Sequence, residues 1–173
     1  MQQNDELQHV SLTARLVVAL HCFEHYCHLR QLIAPETTVF LDYLWEFPIE
    51  DGPAAFRAWE SRQPDLVTVG LGGDFPDTCL AWLDAAGIST NEFHQLLEHT
   101  VEIVYGSFYG AAANEDSLMH LHHVLTITKQ TGRITPLLLQ FTLSRFADRQ
   151  GWGNRVSGVE RDSWRGLSKT NDS

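Results

Sequence analysis

The sequence predicts an all-α protein: a single-domain bundle of six to seven helices with a flexible C-terminal tail. Three observations carry that reading. Apolar residues recur at steps of three and four along most of the chain, the period of a helix face. Glycines and prolines fall mainly between those stretches and punctuate them. One short piece alone, residues 66–69, reads as extended, and a lone strand makes no sheet. At 173 residues the chain is long enough to bury a core without disulfide or metal staples. We divide it into a helical domain over residues 1–150 and a polar, flexible tail over 151–173.

Residues 11–33 form the first helix after a polar N-terminal arm. Ser11 is its N-cap, and Ala34-Pro35 ends it. One face carries His21, His25 and His28, extended by Ala14, Val17, Val18 and Leu32. Leu12, Leu16, Leu20, Phe23 and Cys27 cover much of the other side. A helix apolar on two sides is buried among others. Pro35 suits the first turn of a second helix over residues 35–47, with Phe40, Leu41, Leu44, Trp45 and Phe47 turned inward. A short helix follows over 53–62, then the least helical stretch, 63–77, with the extended piece inside it. Pro76 opens a helix to residue 86, stopped by Gly87. Ser89 and Glu92 form a capping box for a helix over 90–105, striped by Phe93, Leu96, Leu97, Val101 and Val104. Asn114 caps a helix to about residue 131, and Thr135-Pro136 starts the last one, LLLQFTLSRFADRQ.

Charge is uneven. The net charge is −10; residues 1–150 hold 8 Lys/Arg against 19 Asp/Glu, while residues 151–173 hold 4 against 3. An acidic body argues against nucleic acid, whose binding depends on neutralising phosphates. It suits solubility and attraction of a basic protein partner. No apolar run reaches the length of a membrane span, and MQQNDELQHV lacks the character of a signal peptide. Cys22, Cys27 and Cys79, odd in number and in apolar helical surroundings, read as buried free thiols in a reducing cytoplasm.

Eight of the nine histidines cluster, as His21, His25 and His28, as His94 and His99, and as His120, His122 and His123. Imidazoles four apart on one helix can chelate, and a closed site needs further ligands from another element. His28, Asp42, Glu46, Glu98, Glu102 and His120 are conceivable donors, and the candidate metal set is His21, His25 and His28 with Glu98 and Glu102, for a divalent transition metal. The commoner situation is core histidines bonded to carboxylates, as Glu24 would bond His28. Sequence frameworks for metal sites fail: His21 is followed by Cys22 rather than Glu, and Glu6–His9 is the one Glu-x-x-His. No nucleophile elbow, phosphate loop or dinucleotide fingerprint is present; Gly70-Leu71-Gly72-Gly73 lacks the later glycine. No catalytic residue is therefore assigned.

A Cys-and-Glu element in the first helix (Cys22, Glu24), the stretch Leu41-Asp42-x-x-Trp45-Glu46, and Leu97-Glu98-His99-Thr100-Val101-Glu102 before a small-residue run occur in one order. Together they resemble the YjaG-like family of small bacterial helical proteins of unknown function, over about residues 12–113. The resemblance implies an all-α fold and a bacterial cytoplasmic setting. It supplies no catalytic residue, and it raises Asp42, Trp45, Glu46, Glu98 and Glu102 above ordinary surface positions.

The expectation is a non-enzymatic acidic helical protein that occupies a protein partner, with toxin neutralisation (an immunity protein) as the concrete version. Asp42, Glu46 and Asp51 supply the acidic contact, and Trp152 and Trp164 the aromatic anchors. The alternatives are a metal-binding protein or metalloenzyme built on the first helix, and a homodimer that exchanges helix faces or the tail.

Overall fold

In a computed structural model the structure describes residues 2–108, 112, 114–130 and 145–167. Among them are nine α-helices and no strand: α1 (Gln2–His9), α2 (Leu12–Leu29), α3 (Pro35–Glu46), α4 (Gly52–Glu60), α5 (Asp65–Gly70), α6 (Asp77–Ala85), α7 (Thr90–Tyr105), α8 (Asn114–Thr128) and α9 (Gly158–Gly166). Two 3-10 turns, Phe47–Ile49 and Asp148–Gly151, complete them. The helix expected to start at Thr135-Pro136 falls largely on residues 131–144, outside the described residues.

The centre is α2. Ser11 accepts a hydrogen bond from the Ala14 amide at its start, and every side chain from Leu12 to Phe23 is buried. It lies against α3, α7 and α8; α7 and α8 pack on each other, and α1 adds to the outside of α8. An apolar coat on both sides of one helix, continuous for several turns, places it inside the layer.

One polar side chain in this core is a full cation. Arg15 is fully buried, and its guanidinium donates to the carbonyls of Leu7, Gln8 and Asn114, to Ser117 Oγ and to Asn114 Oδ1. It also lies 4.7 Å above the Phe146 ring. Burial lowers its pKa to about 10, so it stays charged at neutral pH. It ties the last carbonyls of α1 to the first turn of α8, where Asn114 is the first helical residue.

Three elements differ from expectation. Residues 66–69 are helical within α5, despite two valines. Leu66, Val67 and Val69 are buried, and a Cβ at Gly70 would meet the Leu97 carbonyl oxygen at 3.1 Å, so contact with α7 overrides β propensity. The capping box at Ser89 is one-sided. Ser89 Oγ accepts from the Glu92 amide, while the Glu92 carboxylate is drawn off to the Tyr26 hydroxyl at 2.5 Å and Arg30 at 3.1 Å. The tail, where the sequence reading places no helix, carries one over the part described. Ser157 and Glu160 form a reciprocal capping box there and start α9.

The chain reaches α9 through a tight corner. Arg149 and Gln150 are both left-handed (φ 48° and 59°), and Gly151 follows at φ 93°. A Cβ at Gly151 would lie 2.8 Å from both Ala112 and Phe146, so glycine is required there.

Candidate functional site

The C-terminal segment runs along α3 and the 3-10 turn after it, in the opposite direction. Arg165 pairs with Asp42 at 2.6 Å and with Glu24 of α2 at 3.6 Å. One turn on, Arg161 donates to the Trp45 carbonyl at 3.4 Å. The Val156 amide donates to the Pro48 carbonyl, the Arg155 guanidinium to the Ile49 carbonyl, and Arg149 pairs with Asp51 at 2.9 Å. Successive contacts climb α3 and its extension while descending the C-terminal segment, so this is an antiparallel strap. Thr13 Oγ1 fastens it to α2 by donating to the Trp152 carbonyl at 2.7 Å.

The structure thus engages internally all five residues expected to face a partner. Asp42 and Asp51 hold strap arginines, and Glu46 holds Arg62 at 2.9 Å beside them. Trp152 packs with its ring 5.9 Å from Phe47 and 6.3 Å from Phe56. Trp164, the fifth, is half-buried against the core. A cleft of about 420 Å³ opens beside the strap, floored by Phe47, Phe56 and Trp152 and rimmed by Glu50, Arg149 and Arg155.

Beneath α9 lie buried polar atoms without ordinary hydrogen bonds. Neither ring nitrogen of His21 has such a partner, and Trp45 Nε1 has none. His21 is 4% exposed and meets Trp45 edge-on, with ring centroids 5.3 Å apart. Burial pushes its pKa down to about 4, opposed only in part by the nearby Trp164 backbone. An imidazole in that state is neutral at pH 7.

The five expected metal donors do not share one site. His21 is buried, His25 half-buried and His28 exposed. His21 and His28 are two turns apart, about 10 Å along the axis, beyond the span of one ion's ligands. Glu98 lies 3.8 Å from His94, and Glu102 is half-buried, its pKa raised by burial and by Glu98. Among the described residues no group of three or more His, Cys, Asp or Glu is placed to hold a metal ion.

The histidines that do meet come from two helices. His99 Nδ1 of α7 is 2.9 Å from His120 Nδ1 of α8, and the His99 ring stacks on His123 at 4.1 Å. Burial and the neighbouring imidazoles push His99 down to about 4; His120 is lowered for the same reasons, with Asp116 and Glu98 acting against them. One tautomer donates and the other accepts, so the pair joins α7 to α8 while both rings stay neutral. Helical spacing groups histidines within one helix and gives no signal for this contact across two. The strap does have a sequence signal, the Ser157-x-x-Glu160 start of α9.

Among the described residues no helix is long and apolar enough to cross a membrane. Comparison with family models, curated proteins and solved structures finds no match to this chain.

Proposed function

We propose that this protein is a non-enzymatic acidic binding module that occupies a basic protein partner in the cytoplasm, with neutralisation of a toxin as its concrete role. The observation that carries the reading is the behaviour of Asp42, Glu46 and Asp51. Each grips an arginine from another segment at 2.6–2.9 Å. Carboxylates on α3 and at its exit are therefore spaced and exposed for guanidinium groups, the chemistry a basic partner presents. The charge of −10 adds long-range attraction to that contact.

The test is capture of a bacterial partner on the immobilised chain as salt is raised. A basic protein held at about 50 mM salt and released by about 500 mM is expected, because screening shortens the reach of surface charge. Capture by a partner that is indifferent to salt and to Glu46→Lys with Asp51→Lys would overturn the reading.

A second reading, a metal-binding protein, moves from the first helix to His99 and His120, whose Nδ1 atoms are 2.9 Å apart. Metal content of the untagged protein by mass spectrometry, with melting before and after chelation, tests it. Stoichiometric metal lost together with His99→Ala would support it.

A further inference from the structure

We infer that the groove beneath α9 is a docking site for an arginine-bearing amphipathic helix of the partner, and that α9 is its internal occupant. This rests on the binding reading above and names the surface it would use. The groove is built from Glu24, Asp42 and the Trp45 carbonyl along its rim, with His21 and Trp45 on its floor.

Three observations carry the inference. The first is the fit of the present occupant. Arg161 and Arg165, four apart on one helix face, reach two successive turns of α3. The groove therefore reads a helix with Arg-x-x-x-Arg, and a helix in trans with that spacing meets the same acceptors.

The second is that α9 holds loosely. None of its side chains is fully buried. Its ion pair to Asp42 is half exposed to solvent, a setting in which a pair contributes little. Arg161 also spends its Nε on Asp162 of its own helix at 2.6 Å. A partner helix without that acid would free this arginine for the groove.

The third is what α9 leaves undone. Trp45 Nε1 is sealed from water without a hydrogen-bond partner, whereas His21 already draws on the Trp164 backbone of α9. Buried polar groups left this way are costly, and an occupant that supplies a donor or acceptor to them gains over one that does not. An occupant that offers an acceptor to the Trp45 indole gains what the segment now in the seat does not supply.

The two occupants compete, so the apparent affinity for a partner helix is reduced by the fraction of time the strap is open. The probe is a fluorescent peptide of residues 157–167, SGVERDSWRGL, titrated onto the full chain and followed by anisotropy. Loosening the strap by Arg161→Ala with Arg165→Ala is expected to tighten peptide binding roughly tenfold or more. Adding Glu24→Ala and Asp42→Ala to that background should abolish the gain. A peptide carrying Asp162→Asn should bind tighter than the parent to the same protein.

Hydrogen exchange on the wild-type chain tests the inference without any destabilising variant. Excess peptide should raise exchange in residues 158–166 and leave α2 and α7 protected. Peptide affinity indifferent to strap loosening, or binding that survives Glu24→Ala and Asp42→Ala, would overturn the docking site. Concentration-dependent dimers of the loosened chain would also overturn it, by giving the groove to a second copy. A basic partner captured equally by wild-type and loosened chains, and not displaced by peptide, would sink the groove and leave the binding reading standing. Peptide binding as expected, with no salt-sensitive capture of any basic protein, would do the reverse.

Discussion

Arg15 and His21 are buried on the same helix, and the protein treats them in opposite ways. Arg15 is enclosed by acceptors from α1, α2's own neighbour in sequence, and from the start of α8. His21 sits under α9, and the Trp164 backbone of that segment is the hydrogen-bond partner that opposes the effect of its burial. The first polar group is a joint between elements that fold together. The second is covered by a segment that is fastened at its edges. Burial alone does not separate these cases; the origin of the covering groups does.

The sharpest way to break the comparison is Arg15→Met. The carbonyls of Leu7, Gln8 and Asn114 would each be left buried at a cost of roughly 1–3 kcal/mol. A loss of about 3–5 kcal/mol is expected in urea unfolding, with an unchanged m-value. A loss under about 1 kcal/mol would mean that the joint is not needed.

Acidification comes next in size. His21 has a folded pKa of about 4 against an unfolded value of 6.5, so the unfolded chain takes the proton first. Its contribution is intact above pH 6.5 and is lost as pH falls from 6.5 towards 4, by up to ~3 kcal/mol at full separation. His99, also about 4, and His120 and His122, both lowered, act in the same direction. Melting temperature should therefore fall steeply between pH 6.5 and 4. A flat profile over that range would contradict the buried neutral state of these rings.

His21→Phe sharpens the contrast with Arg15. It removes only the contact with the Trp164 backbone, so at pH 7 stability should change by about 1 kcal/mol or less. The acid slope should become shallower, which thermal melts at two pH values would show. The smallest effect belongs to Asp42→Ala. An exposed pair contributes less than about 1 kcal/mol, so global unfolding should hardly move. Amide exchange in residues 158–166 should nonetheless rise, because the strap opens without the core.

Much of the helical frame was legible in sequence, because α2, α3, α7 and α8 combine clear periodicity with Ser, Pro and Gly at their ends. What failed shares one cause. Val67 and Val69 favour an extended chain until Gly70 is pressed against α7. Glu92 looks like a capping partner until Tyr26 and Arg30, distant in sequence, come within reach. Asp42, Glu46 and Asp51 read as partner-facing acids, and nothing local shows that Arg165, Arg62 and Arg149 also fold back onto them. His99 and His120 are brought together only by the packing of α7 on α8. In each case a long-range contact overrides the local preference. The exception is α9, whose capping box is written locally and was masked by the polar composition around it.

The three cysteines give this protein a clock. Cys22, Cys27 and Cys79 are free and buried, and burial pushes the first two to about 12 and raises the third. A thiol reagent at pH 8 meets no thiolate until the chain opens, so the alkylation rate reports opening. Cys22 and Cys27 time the central helix, and Cys79 times the peripheral α6. The unmodified chain can thus report, in one reaction, which of its layers comes apart first.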